Sequence, residues 1–110
     1  MNSVLLEIPT APAIELHVDV MQLKKAALVL RSINHKLRQQ MLKLIYGHGK
    51  MTVTEIYVEL RLEQSVASQH LAILRKAGLV LTLRDGKYIY YSVNERRLED
   101  LHRFAADLLQ

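Results

Sequence analysis

The run Thr52-Val-Thr-Glu-Ile-Tyr-Val-Glu-Leu-Arg-Leu-Glu-Gln-Ser-Val-Ala-Ser-Gln-His-Leu-Ala-Ile-Leu-Arg-Lys-Ala-Gly-Leu79 leaves this chain few folds to choose from. It opens with Thr52 three residues ahead of Glu55, the spacing at which a hydroxyl and a carboxylate cap each other's backbone amides at a helix start. Ile56 and Leu60 follow at helical spacing. A short break at Arg61-Leu62-Glu63 separates them from a second helical pattern, from about Gln64 to Ala77, whose apolar stripe is Ala67, Leu71 and Leu74. Gly78 suits the left-handed position after a helix, and Leu79 can pack back on the last turn. Two short helices joined by a tight turn are the expected outcome.

The period then changes from helical to two. Leu81 and Leu83 alternate with Thr82 and Arg84, and Ile89, Tyr91 and Val93 alternate with Tyr88, Tyr90 and Ser92. Asp85-Gly86 between them predicts a β-hairpin closed by a two-residue type I′ turn. Upstream, Asp19 is placed to cap a helix carrying Val20, Leu23, Ala27 and Leu30. A second helix starts near Asn34, with Leu37, Met41, Leu44 and Ile45 buried and Lys36, Arg38 and Lys43 in water. Gly47 and Gly49 end it. After the hairpin, Asn94 caps a last helix with Leu98, Leu101, Ala105 and Leu108 on one stripe. The order predicts a mostly α fold with a β-hairpin wing: a winged helix-turn-helix of five helices plus a two-stranded wing, dimeric through its first and last helices. Residues 1–18, which hold Pro9 and Pro12, read as an N-terminal arm, partly disordered or loosely docked. Residues 19–110 read as the winged domain.

At 110 residues the chain has the length of one domain. It has no cysteine, which excludes disulfides, thiolate metal sites and thiol switches. No apolar run approaches the roughly 18 residues that span a bilayer. The first twenty residues carry no Lys or Arg, unlike a secretory signal, so a cytoplasmic protein with no membrane partner is expected. The net charge of +4 is unevenly spread: residues 1–20 carry −3 and the remainder +7. A basic domain calls for an anionic partner.

The residue types on the second helix of the pair say which anion. Gln64, Ser65, Ser68 and Gln69 share one face, opposite the apolar stripe, with no long charged side chain before Arg75 and Lys76. An ordinary solvated face carries Glu and Lys. Short polar side chains in the first two turns instead let a helix enter the major groove, where Gln pairs with adenine and Ser reaches bases or phosphates. Arg84 and Lys87 beside the hairpin turn can touch phosphates or a minor groove. Thr52, with the start of its helix, is expected to hold a phosphate. His70 reads either as a phosphate contact or as a packing residue. The stripes Val20, Leu23 and Ala27, and Leu98, Leu101, Ala105 and Leu108, predict a dimer interface, with packing inside the monomer as the alternative.

His17, His35, His48, His70 and His102 are scattered, and only Glu99 with His102 pairs at one helical turn, so no metal site and no cofactor is expected. No phosphate loop, carboxylate pair or activated nucleophile marks an enzyme.

The runs Leu62–Val80, Arg84-Asp-Gly-Lys-Tyr-Ile-Tyr-Tyr-Ser-Val93 and Asn34-His-Lys-Leu-Arg38 resemble the ArsR family of bacterial repressors, over about residues 19–109. The resemblance implies a homodimer with first and last helices at its interface, operator binding, and release by an inducer. Many members sense metals. The family's thiolate site in the third helix needs cysteines, and Thr54–Leu60 has none. Its site in the last helix needs an acid-x-His pair and a later His, and Glu95, Arg97 and Leu108 stand in those places. The expectation is a homodimeric repressor on a palindromic double-stranded DNA operator, without the familiar metal sites and with an unknown inducer. The alternatives are a metal-responsive repressor with an atypical site near His102, and a winged-helix module that grips an acidic protein.

Overall fold

A computed structural model of the chain describes residues 3–7 and 15–110. Two strands, β1 (Ser3–Glu7) and β2 (Glu15–Asp19), pair antiparallel with Val4 opposite Val18 and Leu6 opposite Leu16. The arm is therefore regular over these stretches, where the sequence pattern predicts no strand. Its two runs are five residues each, and their mutual pairing makes them strands. Pro9 and Pro12 lie outside the described residues.

Helix α1 (Val20–Ile33) starts on Asp19, whose carboxylate accepts from the amides of Met21 and Gln22. Helix α2 (Lys36–His48) begins two residues after Asn34, and Gly47 stays inside it while Gly49 ends it. A short strand β3 (Met51–Thr52) leads into α3 (Val53–Glu59), and α4 (Gln64–Lys76) follows. Strands β4 (Val80–Asp85) and β5 (Tyr88–Val93) form the wing, and α5 (Glu95–Leu108) closes the chain on its Asn94 cap. The wing sheet has three strands in the order β3-β5-β4, one more than the sequence pattern predicts. Thr52 pairs with Tyr90, so the start of α3 hangs directly on the wing.

The wing turn also lies one residue further on than expected. Asp85 pairs with Tyr88, so the turn residues are Gly86 and Lys87. Gly86 takes φ +62, whereas Arg61 is the sole non-glycine with positive φ among the described residues. A type I′ turn needs positive φ at both central residues; Gly first and an ordinary residue second is the type II′ pattern.

Met41, Ile45, Ile56, Ala67, Leu71, Leu74 and Leu79 are fully buried and form one core with Leu42, Met51 and Val80. The apolar stripe of α4 is thus its inner face, as its spacing predicts. Truncating Leu71 to Ala in this close-packed centre costs about 2–5 kcal/mol. Helix α5 buries no residue completely within one chain, although Leu98 and Leu101 pack against the core.

Candidate nucleic-acid interface

With the stripe of α4 turned inward, the opposite face must meet solvent. Gln64, Ser65, Ser68, Gln69 and Ala72 are all exposed. The structure thereby brings four of the sequence-predicted contacts onto one open face of small polar groups. The helix is held at both ends by backbone devices. Before it, the amide of Leu62 donates to the carbonyl of Tyr57 at 2.9 Å and that of Arg61 to Val58 at 3.2 Å, with Arg61 left-handed at φ 55. After it, the amide of Leu79 donates to Leu74 at 2.9 Å and that of Gly78 to Arg75 at 3.0 Å, with Gly78 at φ 74. Both are Schellman motifs, which stop a helix sharply and set the direction in which the chain leaves it. The first has Arg where glycine is usual.

Arg84, just before the wing turn, and Lys87, within it, are exposed. Arg84 Nε donates to the Gly86 carbonyl at 3.3 Å, folding the side chain over the turn, while Lys87 Nζ stands 5.4 Å from the centre of the Tyr88 ring. Lys87 and Thr52 line the same cleft, about 590 Å³, between the start of α3 and the second wing strand.

Thr52 and His70 both have hydrogen-bond partners within the chain. The Thr52 hydroxyl accepts from the Glu55 amide at 3.2 Å, and Glu55 Oε1 accepts from the Thr52 amide at 2.9 Å. The hydroxyl also donates to Oε1 at 3.0 Å. These bonds pull the Glu55 carboxyl below its ordinary value, the Thr52 amide contributing most and its hydroxyl next, with a lesser attraction from His48. Thr52 is thus the cap of α3, with both its amide and its hydroxyl bonded to Glu55. His70 sits on the flank of α4 facing the α1–α2 corner. Its Nδ1 lies 3.2 Å from Arg38 Nη1, and its ring centre 4.9 Å from that of His35. Its neighbours lie on the corner side of α4, as the packing alternative expects.

Arg38, expected in water from its place on α2, is held by the protein instead. It is half-buried, with Nε donating to the Ser32 carbonyl at 2.6 Å and Nη2 to Arg31 at 3.2 Å. Arg97, which stands where a metal ligand would be in the last helix, donates to the Ala77 carbonyl at 3.2 Å. Glu95 and Leu108 are exposed. Among the described residues no group of three or more His, Cys, Asp or Glu could hold a metal ion.

The stripes expected at a dimer seam divide. Leu98, Leu101 and Val29 pack on their own core, and Val20 and Ala27 are half-buried. Leu23, Ala105 and Leu108 are exposed, as is Phe104, which lies one turn from Leu101 and outside the stripe predicted from the sequence. An apolar groove of about 180 Å³ between α1 and α5 is lined by Val29, Leu30, Leu101 and Phe104 among others. No helix of the described residues is long and apolar enough to cross a membrane.

Known proteins share this arrangement. The family model for bacterial regulatory proteins of the arsR family matches residues 35–82. The transcriptional repressor PagR of Bacillus anthracis is 36% identical over 85 residues, which cover 76% of this chain and 84% of PagR. The transcriptional activator HlyU of Vibrio cholerae is 34% identical over 83 residues, covering 72% of this chain and 76% of HlyU. The crystal structure of PagR superposes with a TM-score of 0.65 at 32% identity, over 79% of this chain and 99% of that one.

Proposed function

Because this chain belongs to the ArsR family of bacterial regulatory proteins and is a DNA-binding transcriptional regulator rather than an enzyme, we propose that it acts as a homodimeric repressor on a palindromic operator in the cytoplasm. The observation that carries the reading is the open face of α4, where Gln64, Ser65, Ser68 and Gln69 are exposed with no long charged side chain among them. These four enter the major groove, and Arg84 and Lys87 of the wing meet phosphates or the minor groove beside it. The exposed apolar groups of α1 and α5, Leu23, Phe104 and Leu108, meet a second copy. A two-fold dimer then presents two reading helices to two half-sites. Residues 1–18 carry Glu7 and Glu15 and no Lys or Arg, a charge that disfavours approach to the phosphates of the groove. No familiar metal site is involved in release, since Arg97 is bonded to the end of α4; an inducer of another chemistry would act.

Selection from a random DNA pool at near-physiological salt, followed by footprinting, tests the reading. The expected result is a protected palindrome with half-sites about 10–11 base pairs apart. Transcription from a promoter carrying that site should fall when the protein is added. Weak, salt-sensitive binding with no enriched sequence would remove the proposal.

A further inference from the structure

We infer that Arg38 and His70 are a positioning pair that holds the reading helix against the α1–α2 corner at neutral pH and lets it go on acidification. The inference rests on α4 being the element that reads DNA.

Arg38 has three partners on two helices. Two are the carbonyls of Ser32 and Arg31 in the last turn of α1, at 2.6 and 3.2 Å. Carbonyls at a helix end lack intrahelical partners and carry the negative end of the dipole, so a guanidinium is well held there. Its remaining arm reaches His70 Nδ1 at 3.2 Å. Among the described residues this is the one side-chain hydrogen bond from the α1–α2 pair to α4.

The chemistry of the pair is one-way. A guanidinium only donates and stays charged at any ordinary pH, so His70 Nδ1 must be the acceptor and its proton must sit on Nε2. A second proton would go to Nδ1. It would replace the acceptor with a donor aimed at a donor and set two cations 3.2 Å apart. Nothing nearby compensates. The charged and titratable groups that bear on His70 are His35 and Arg38, both from the α2 side of the corner. From α1, the carbonyls of Ser32 and Arg31 are already held by Arg38. The second imidazole adds to the strain, since His35 lies 4.9 Å away and its Nδ1 is buried without a partner.

His70 is accordingly held below its ordinary value of 6.5, by burial first, then by His35 and Arg38. A histidine whose folded pKa is depressed contributes fully above its unfolded value, and the contribution is lost as pH falls through the folded one. The pair is closed above pH 6.5 and opens as the pH falls through the lower, folded value. Opening removes the one side-chain tie that sets α4 against the corner while the core still holds the helix, so sequence-specific affinity falls with acid. Ordinary surface histidines do the reverse, because each added positive charge strengthens binding to DNA.

The test measures affinity for the duplex recovered from random-pool selection, by fluorescence anisotropy at constant ionic strength, from about pH 7.5 to about pH 5.5. Wild type should bind several-fold more weakly at the acid end of the range. In His70→Gln the amide oxygen accepts from Arg38 and does not titrate, so affinity at neutral pH is kept and the acid loss disappears. His70→Leu should bind weakly at both pH values. Circular dichroism at each pH confirms that the variants are folded. Wild-type affinity that is constant or rises with acid, or an unchanged acid loss in His70→Gln, overturns the inference. Nitrogen-15 imidazole shifts of the free protein give an independent readout: His70 must carry its neutral proton on Nε2, and an Nδ1–H tautomer overturns the pair without DNA. If α4 is not the reader, Ser68→Ala and Gln69→Ala leave base preference unchanged, which separates failure of the DNA reading from failure of the pair.

Discussion

The Arg97 guanidinium lies across Gly78 at the end of α4 and donates to the neighbouring Ala77 carbonyl at 3.2 Å. From the same helix start, Asn94 Nδ2 donates to the Gly78 carbonyl at 2.9 Å. Helix α5, the expected dimer helix, thus grips the C-terminal end of α4 with two side chains, where unpartnered carbonyls await donors. Arg38 grips the middle of α4 from the other side. The polar face of α4 is open, and the rest of the helix is fastened to the start of α5 and, through Arg38 of α2, to the last turn of α1.

Gly78→Ala should destabilise the protein by about 1–2 kcal/mol, the usual penalty for an L side chain in the left-handed region. Gly78 has φ 74, and a Cβ there would also stand 3.2 Å from Arg97 Cζ. The guanidinium is flexible, so backbone strain should dominate. Urea unfolding of Gly78→Ala in an Arg97→Ala background should therefore show nearly the same loss. If the loss vanishes in the double variant, the contact and not the backbone was its origin.

Arg61→Gly should have the opposite sign. Arg61 has φ 55 at the turn between α3 and α4, and its side chain is exposed with no hydrogen bond in the structure. Removing the strain should stabilise the fold by roughly 1 kcal/mol, reduced by the entropy that glycine restores to the unfolded chain. The urea midpoint should rise with an unchanged slope. A lower midpoint would mean that Arg61 makes a stabilising contribution of its own.

The capping box gives an acid-dependent prediction. Glu55 is held below its ordinary 4.5 by its bonds from Thr52, so its contribution is present above that value and is lost as pH falls through the lower, folded one. Thr52→Ala should cost about 1 kcal/mol at neutral pH. Glu55→Gln can keep the box geometry without titrating. Its urea midpoint should lie below wild type near neutral pH and converge with it in acid. Parallel midpoints over the whole range would show that the carboxylate charge does not matter here.

Base readers and phosphate contacts should separate in binding data. Gln69→Ala should cost about 1–3 kcal/mol on the selected operator and relax preference at one base pair. Lys87→Ala should weaken all sequences alike and flatten the salt slope by about 0.9, the signature of one lost phosphate contact. A changed sequence preference in Lys87→Ala at equal salt would contradict the wing assignment.

The dimer seam is tested best at a residue that one chain leaves outside. Phe104 is 44% exposed, so Phe104→Glu should leave circular dichroism unchanged. Sedimentation should shift from dimer to monomer, and a full operator should bind no more tightly than one half-site. A variant that stays dimeric would place the interface elsewhere.

Much of this protein is legible in its sequence because the signals are local. The capping box at Thr52 and Glu55, the cap at Asp19, the Schellman end at Gly78 and the stripe Ala67, Leu71 and Leu74 each depend on residues only a few positions apart. The open face of α4 comes with them, being what remains when that stripe turns inward. Tertiary structure decided the rest. Arg38 and Arg97 look solvated on their own helices; their acceptors are carbonyls at the ends of other helices, which come within reach only on folding. His70 is one residue from Gln69, yet the corner formed by α1 and α2 claims it. The wing turn falls on Gly86 and Lys87 because pairing register across β4 and β5, and not the favoured dipeptide, sets which residues face each other. Helix ends create partners at a distance and strand register is non-local, so neither can be read along the chain alone.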